Sequence, residues 1–333
     1  MDLFAFTRAL IDIESVTGNE AAAAEFVAEF LRGHGFAAEL WRFEPGRANV
    51  FAAVGKPSVV LSTHLDTVPP FFPSADDGDR IRGRGACDAK GIVAAQLFAA
   101  LELRAAGASD FGLLFLAGEE KNSAGAKAAN EQPCGSRYLI NGEPTEGRLV
   151  SAGKGVLRVD VRASGRMAHS AYPELGESAI EKLLAALVRL REMPLPADPR
   201  LGPTTMNIGT LAGGRAPNVI ADEARAELAY RIVAPSQGLR REIERAVAGL
   251  AQAEFLLEIP PVFPLILPGY ETTTVAFTTD IPALDRWGTP LLLGPGSISL
   301  AHTERESIGK AELQRAVRQY VGLVRACQAL PAR

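Results

Sequence analysis

The 333-residue sequence is poor in cysteine and histidine, and it has no long apolar run. Its three cysteines, Cys87, Cys134 and Cys327, are too scattered to indicate a disulfide framework or a thiolate zinc site. No apolar stretch approaches the ~20 residues that span a bilayer, and the N-terminus has acidic residues where a secretory signal has basic ones. We therefore expect a cytoplasmic protein that does not bind membranes.

Positive charge is also in short supply. Lysine and arginine total 35 against 39 aspartates and glutamates, a formal net charge of −4, so the basic stripe of a nucleic-acid-binding protein is not expected. Apolar residues make up 47% and charged residues 22%, as in ordinary globular proteins with one large domain or two moderate ones. The four histidines limit any imidazole-dependent site to a short list: His34, His64, His169 and His302.

Short apolar runs alternate with helical segments in the first half of the chain. Residues 1–35 have helical periodicity with a break near Thr17–Gly18, and residues 92–104 form another helical stretch. The apolar runs lie at 49–54, 59–62, 112–117 and 139–141. Buried runs separated by helices predict an α/β fold, with a mainly parallel sheet sandwiched by helices.

The pattern changes at about Gly153. From there the order is strand, helix, strand, strand, helix, strand up to residue 262, which predicts a ferredoxin-like α+β domain. An apolar run at 290–293 and a helix at 310–329 then indicate that the first domain resumes. We therefore predict a first domain formed by residues 1–153 and 263–333, with an inserted domain at residues 154–262.

Acidic residues and histidines concentrate in five segments at the ends of predicted strands: STHLDTVPP, GRGACDAKG, LAGEEKNSAG, NGEPTE and AHTERESI. Open α/β sheets bind ligands at the carboxyl ends of their strands, so these segments can converge. Imidazoles and carboxylates without cysteine are the ligand set of a hydrolytic zinc site, and several carboxylates suggest two metals that share a bridging ligand.

The first two segments each allow a structural interpretation beside the functional one. His64 and Asp66 are two residues apart in an extended segment, so the carboxylate could orient a metal-binding imidazole. They could equally form a hydrogen-bonded pair at a strand end. Asp88 lies in a glycine-rich stretch that would let its carboxylate approach a metal, or it could cap the helix that follows.

The same holds for the other three segments. Glu119 and Glu120 follow an apolar strand, where one could bind a metal while the other acts as general base; the alternative is a solvated loop. Glu143 could be a metal ligand or an exposed loop residue. His302 could be a ligand or a residue at a helix N-terminus without such a role.

Taken together and in this order, the five segments resemble the metallohydrolase family that includes acetylornithine deacetylase, succinyl-diaminopimelate desuccinylase, aminoacylase and glutamate carboxypeptidases. The resemblance covers essentially the whole chain. It implies two zinc ions, with cobalt or manganese as alternatives, bridged by Asp88. His64 and Glu143 would complete one metal site, and Glu120 and His302 the other.

The resemblance also implies roles for residues outside the ligand set. Glu119 would be the general base that assists attack by a metal-bound hydroxide, and Asp66 would orient His64. The insertion would be a lid and the contact of a homodimer. Its segment GRMAHSAYPELGESAI would supply His169, which reaches the partner's active site and polarises the scissile carbonyl.

The segment GGRAPNVIADEARAELAYRI resembles the part of the family that supplies substrate contacts, here Asn218 and Arg231. A surface strand residue is the structural alternative for Arg231. Together with Arg231, the backbone around Gly294 and Gly296 would hold the substrate carboxylate. One departure stands beside the catalytic pair, because family members often carry an aspartate where this chain has Gly118.

The main hypothesis is an N-acyl-amino-acid deacylase, most like acetylornithine deacetylase, acting on a small N-acyl amino acid. A dipeptidase, carboxypeptidase or desuccinylase that uses the same site, on short peptides in the first two cases, is the alternative. A non-catalytic homologue that binds amino-acid derivatives is a second class, although retention of Glu119 and every proposed ligand argues against it. A purely structural oligomer would not need five such segments.

Overall fold

The computed structural model describes residues 1–331, which form two compact units. Unit 1 comprises Met1–Ser151, Pro264–Thr273 and the chain from Thr279 onward, and unit 2 comprises Ala152–Phe263 and Thr274–Thr278. The assignment of catalytic and lid domains at the boundaries given above stays a prediction. Across the part of the chain that is described, no helix is both long and apolar enough to cross a membrane.

The helices alternate with strands in unit 1 and cover one sheet in unit 2. In chain order they are α1 (Leu3–Ile11), α2 (Ala21–Gly33), α3 (Lys90–Ala105), α4 (Ala124–Asn130), α5 (Ala179–Glu192), α6 (Gln237–Val247) and α7 (Lys310–Ala329). Short 3-10 helices lie at Pro173–Leu175 and Ile281–Ala283.

The strands range from two to ten residues. In chain order they are β1 (Ala37–Glu44), β2 (Arg47–Val54), β3 (Val59–His64), β4 (Ala75–Asp76), β5 (Arg80–Arg82), β6 (Phe111–Leu116), β7 (Tyr138–Asn141), β8 (Leu149–Gly153), β9 (Gly155–Ser164), β10 (Ala197–Asp198), β11 (Gly202–Pro203), β12 (Thr205–Gly213), β13 (Glu223–Ile232), β14 (Gln252–Ile259), β15 (Thr272–Val275), β16 (Thr289–Leu292) and β17 (Ser307–Gly309).

The central sheet of unit 1 has the order β1-β2-β6-β3-β7-β16. Strands β6, β3, β7 and β16 pair in parallel, whereas β1 with β2 and β2 with β6 are antiparallel. The predicted α/β fold is therefore confirmed, but the sheet is mixed. Strand β1 was not predicted, because it is only partly buried and lacks the continuous apolar run of its neighbours.

Helices or turns cover both faces of this sheet. Along β3, Val59 and Leu61 belong to a core that contains residues of α1, α2, α3 and α7. The intervening Val60 points into a second core with Trp287 and residues of α4. Since side chains alternate between the faces of a strand, burial of all three shows that the sheet is enclosed on both sides.

Unit 2 is built on one antiparallel sheet with the order β12-β13-β9-β14. Apolar residues of β9 and β13 pack against Leu183 and Leu187 of α5 and Ile243 of α6. The connection β9-α5-β12-β13-α6-β14 is the predicted ferredoxin-like order. Strand β12 lies at one edge of this sheet and β14 at the other.

The parallel strands of unit 1 end together. His64 at the end of β3 is in register with Leu116 at the end of β6, and Ser62 is in register with Asn141 of β7. Asn141 is in turn in register with Leu292 of β16. The loops after four neighbouring strands therefore leave the sheet at one edge, and these loops carry the acidic and histidine segments.

Candidate metal centre

One cluster of possible metal ligands consists of His64, Asp88 and Glu143. The Nε2 atom of His64 lies 3.0 Å from Oδ1 of Asp88 and 3.9 Å from Oε2 of Glu143. All three side chains are buried, with exposed fractions of 1%, 6% and 5%. His64 ends β3 and Glu143 follows β7, so adjacent strands position two of the three groups.

A second cluster consists of Asp88, Glu120 and His302. The Nε2 atom of His302 lies 2.9 Å from Oε1 of Glu120 and 3.3 Å from Oδ2 of Asp88. Each oxygen of the Asp88 carboxylate thus faces a different imidazole. His302 has a left-handed backbone, with φ of 63°, and 49% of its side chain is exposed. The two clusters therefore share Asp88, which is the arrangement expected of a bridging ligand.

The donor atoms fit a pair of cations. Nδ1 of His64 is 2.9 Å from the carbonyl oxygen of Asp66, and because a carbonyl only accepts, this nitrogen carries the hydrogen. In a neutral ring Nε2 is then an acceptor, yet it faces another acceptor on Asp88. A proton or a cation between them is required. In addition, Oε1 of Glu143 is buried without a hydrogen-bond partner among the described residues.

The electrostatics of the cluster lead to the same conclusion. Burial alone would lower the pKa of His64, but its contacts with Asp66 and Asp88 raise it well above the ordinary value. Hydrogen bonds to Asp88 and Glu120 raise the pKa of His302 to about 10. The protein therefore places more negative charge at this edge than its own imidazoles balance, which suits nitrogen- and oxygen-coordinated divalent ions.

Glu119 precedes the candidate ligand Glu120 on the loop after β6. Burial, and next the neighbouring carboxylate of Glu143, raises the pKa of Glu119 well above its ordinary value. Its side chain is thus close enough to the cluster to interact with it, yet it belongs to neither ligand group. This is the placement that a general base requires.

Asp66 does more than the sequence suggested. Its Oδ1 lies 3.5 Å from Nδ1 of His64, farther than its own carbonyl oxygen at 2.9 Å. The same Oδ1 accepts the backbone N–H groups of Gly118 and Glu119 at 2.9 and 3.0 Å. Oδ2 accepts the N–H of Glu120 at 3.2 Å. Asp66 therefore holds the backbone of the loop that carries the glutamate pair, and it contacts His64 mainly through its main chain.

The predicted lid residues all lie in unit 2. His169 is exposed, and its Nδ1 accepts the N–H of Ala171 at 3.1 Å. The N–H of Ser170 donates to the carbonyl of Asn218 at 3.0 Å, so His169 and Asn218 lie on adjacent backbone segments. Arg231 is an exposed residue of β13, opposite Thr205 of β12. Their predicted roles stay predictions.

Gly294 and Gly296 lie on the loop after β16. The N–H of Gly294 donates to the hydroxyl of Thr145 at 3.0 Å, so it is already engaged. A Cβ atom on Gly294 would lie 2.4 Å from the carbonyl oxygen of Glu143, and glycine is needed for this close approach. The carbonyl of Gly296 accepts the N–H of Glu146 at 2.8 Å. The predicted contacts of both glycines with a substrate remain predictions.

Two buried residues, Glu306 and Asp280, and the partly buried Thr17 received no role from the sequence. Glu306 accepts the N–H groups of Cys87 and Asp88 at 3.3 and 3.2 Å. Its only signal was its place in the segment AHTERESI. Thr17 donates to Asp66, and the sequence marked it only as a helix break. Burial raises the pKa of Asp280 to about 7, and no motif indicated this residue.

The α/β fold and this carboxylate–imidazole cluster define a metal-dependent hydrolase. A model of the peptidase family M20/M25/M40 matches residues 60–326. The chain belongs to this family and is a hydrolase that acts on peptide bonds.

Similar proteins give a more detailed comparison. A probable carboxypeptidase of Aspergillus clavatus is 42% identical over 371 residues, which cover 97% of this chain and 82% of the relative. The crystal structure of the aminopeptidase PepT from Bacillus cereus has a TM-score of 0.82 at 20% identity, with 98% of each chain covered. A dinuclear metal-binding M20 peptidase of Bacillus subtilis, YXEP, has a TM-score of 0.72 at 17% identity, again with 98% of each chain covered.

These comparisons bear on the hypotheses made from the sequence. The membership of a metallohydrolase family and the hydrolase activity are confirmed. The acetylornithine deacetylase hypothesis is not supported, since relatives such as the Aspergillus clavatus protein are named probable carboxypeptidases. The alternative of a dipeptidase or carboxypeptidase fits them better.

Proposed function

We propose that this chain is a di-zinc peptidase of the carboxypeptidase or dipeptidase type, which cleaves the peptide bond next to a free C-terminal carboxylate. The observation that carries the proposal is the pair of ligand clusters sharing Asp88, with Glu119 directly before the ligand Glu120. Imidazole and carboxylate ligands without thiolate favour zinc, with cobalt and manganese as alternatives. The carboxypeptidase names of the relatives support a peptide substrate.

His64 and Glu143 would hold one ion, Glu120 and His302 the other, and Asp88 both. When bound, the two divalent ions supply positive charge that lowers the pKa of water and polarises a carbonyl group. Asp66 contributes indirectly, because its carboxylate fixes the loop backbone from which Glu119 and Glu120 project.

Glu119 would move the proton. As the attacking water adds to the carbonyl carbon, a carboxylate oxygen of Glu119 accepts its proton. When the bond between carbon and nitrogen breaks, the same proton passes to the leaving amine nitrogen. In the metal-free protein, burial and the adjacent Glu143 raise the pKa of Glu119; two bound cations would offset this and leave the carboxylate able to accept a proton.

The proposed lid residues would bind the rest of the substrate. In neutral His169, Nδ1 accepts a hydrogen bond, so Nε2 carries the hydrogen and can donate to the developing oxyanion. One such donor contributes about 3 kcal/mol to transition-state stabilisation. Arg231 would pair with the substrate carboxylate in bidentate geometry, with Asn218 as a further donor.

We propose further that the enzyme acts as a cytoplasmic homodimer, formed through unit 2. The edge strand β12 and three exposed apolar residues, Leu184, Val188 and Leu211, support this contact surface. The three cysteines are unpaired, as expected in a reducing compartment. Mixed dimers of His169→Ala and Glu119→Ala chains should regain part of the activity; no recovery would rule out a role of His169 across the subunit contact.

Substrate chemistry provides the main test. Purified enzyme loaded with zinc should hold two ions per chain by elemental analysis. It should hydrolyse dipeptides and short peptides, and it should lose most of its kcat/KM when the C-terminal carboxylate is replaced by an amide. A loss of kcat/KM of about 100-fold or more for the amide would support recognition of the carboxylate.

N-Acetylornithine and other N-acetyl amino acids serve as the contrasting substrates in the same assay. Turnover of these compounds without turnover of peptides would restore the deacylase hypothesis. Absence of bound metal after supplementation, together with absence of turnover, would refute the enzymatic function altogether.

A further inference from the structure

The segment Ser15–Glu20, which we call the N-terminal clasp, contacts the strand-end residues that hold the glutamate loop. Its central contact is a hydrogen bond from the hydroxyl of Thr17 to Oδ2 of Asp66, at 2.7 Å. The Asp66 carboxylate is fully buried and also accepts the backbone N–H groups of residues 118–120 at 2.9 to 3.2 Å. The Thr17 hydroxyl is the side-chain donor at Oδ2, whereas Nδ1 of His64 lies farther from Oδ1, at 3.5 Å.

The clasp is itself fixed in place. The N–H of Thr17 donates to the carbonyl of Thr67 at 3.2 Å, and the N–H of Thr67 donates to the carbonyl of Ser15 at 3.0 Å. The hydroxyl of Ser15 donates to the carbonyl of Leu65 at 2.7 Å. The clasp therefore runs beside the residues that follow His64, and these contacts hold the backbone of Thr17 next to Asp66.

The far end of the clasp reaches the same loop by a second route. Glu20 is fully buried and accepts two hydrogen bonds from Arg47, both at 3.1 Å. The guanidinium of Arg47 lies against Gly118, where a Cβ atom would be only 2.1 Å from Nη2. Gly118 also has a left-handed backbone, with φ of 87°. Glycine at this position thus allows the Glu20–Arg47 pair to pack directly on the loop.

We infer that the clasp is a positioning element for the Glu119–Glu120 loop and that Thr17 is its main positioning residue. Thr17 acts through Asp66: its hydrogen bond fixes the carboxylate, and the carboxylate fixes the three backbone N–H groups. The consequence for catalysis and metal binding rests on the proposed function. The consequence for the loop itself does not, because it concerns only backbone hydrogen bonds.

The test compares Thr17→Val, which keeps the side-chain shape and removes the hydroxyl, with Thr17→Ser, which keeps the hydroxyl. Thr7→Val is the matched control, because Thr7 is equally a threonine with one short side-chain hydrogen bond, to the carbonyl of Leu3 at 2.7 Å, in α1. The first readout is hydrogen exchange of the amides of residues 118–120. The second is the pair of zinc dissociation constants, and the third is the separation of kcat from KM.

We expect Thr17→Val to speed exchange of these three amides at least about tenfold. It should lower the affinity for the ion held by Glu120 and His302 by about 10-fold to 100-fold, as for other groups that orient metal ligands. It should lower kcat by a similar factor. KM should stay nearly constant, since the substrate contacts are elsewhere. Thr17→Ser should restore most of each property, and Thr7→Val should change none of the three.

Two results would overturn the inference. One is wild-type exchange at residues 118–120 in Thr17→Val, whatever the activity. The other is an equal loss in Thr17→Ser, which would assign the effect to side-chain packing instead of the hydroxyl. If the wild-type chain bound no zinc and cleaved no peptide, the proposed function would fail, while the exchange measurement would still decide the role of the clasp.

Discussion

The two halves of the candidate metal centre share Asp88 but differ in their surroundings. In one half, His64 and Glu143 are 1% and 5% exposed and follow directly from adjacent parallel strands. In the other half, His302 is 49% exposed and lies in a loop with a left-handed backbone. The first half is built into the sheet, and the second is assembled from loops.

The two halves are therefore positioned in different ways, one by strand register and the other by loop contacts. The buried half has little freedom, because its ligands are set by the register of β3 and β7. The open half depends on the loop that carries Glu119 and Glu120, and therefore on the contacts of Asp66 with that loop. We expect the buried half to bind its ion more tightly and exchange it more slowly. Glu119, the proposed general base, lies on the same loop as Glu120 of the open half.

The largest effect should come from the ligand that the two halves share. Asp88→Asn keeps the size of the side chain but removes its negative charge, so both ions should be lost and no turnover should remain. Elemental analysis after gel filtration measures the metal content. Asp77→Asn, at an aspartate paired with Arg82 outside the cluster, is the control and should retain both ions. Retention of one ion in Asp88→Asn would show that the carboxylate does not bridge.

Glu119→Gln should separate proton transfer from metal binding. Removing a general base lowers kcat by about 10²-fold to 10⁴-fold, while both ions should remain because Glu119 is in neither ligand group. Stopped assays together with elemental analysis test this, with the exposed Glu131→Gln as the control. A near-normal rate, or loss of an ion, would contradict the assignment of Glu119 as base.

The buried half was easier to predict from the sequence than the open half. His64 and Glu143 follow short apolar strands, and the rule that parallel strands end together brings them to one edge. The contacts behind the open half join residues far apart in the chain: Thr17 with Asp66, and Glu306 with the N–H groups of residues 87 and 88. No periodicity or local motif encodes such contacts, because they depend on how loops pack after the sheet has formed.

Strand β1 shows the same limit for the fold. It pairs with β2 at the edge of the sheet, where one face is only partly covered, so its apolar residues do not form a continuous run. Hydrophobic pattern indicates strands that are enclosed on both faces, as β3 and β6 are. It says much less about a strand whose position is decided by its partner.

Lowering the pH should weaken ion binding at the open half, formed by Glu120 and His302. Hydrogen bonds to Asp88 and Glu120 raise the pKa of His302 to about 10 in the metal-free protein, so at neutral pH its imidazole carries a proton that must leave when an ion binds. Affinity for that ion should therefore rise with pH between 6 and 9, by up to about tenfold per unit. Zinc titrations in two buffers of different ionisation enthalpy would detect the released proton; a pH-independent affinity without proton release would contradict this.

The smallest effect tests the support beneath the open half. Gly118→Ala places an alanine in the left-handed conformation, which costs about 1–2 kcal/mol of stability. It also introduces a Cβ atom 2.1 Å from the Arg47 guanidinium. Gly107→Ala is the matched control, because Gly107 has a similar φ of 76° but no atom within 4 Å of the added Cβ. Urea denaturation of the two variants should therefore differ by the cost of displacing Arg47, about 1–3 kcal/mol. Displacing Arg47 also disturbs its buried partner Glu20, so Gly118→Ala, unlike Gly107→Ala, should lower the affinity for the ion at the open half. Equal stabilities and equal zinc affinities in the two variants would mean that Arg47 moves aside freely and does not support the loop.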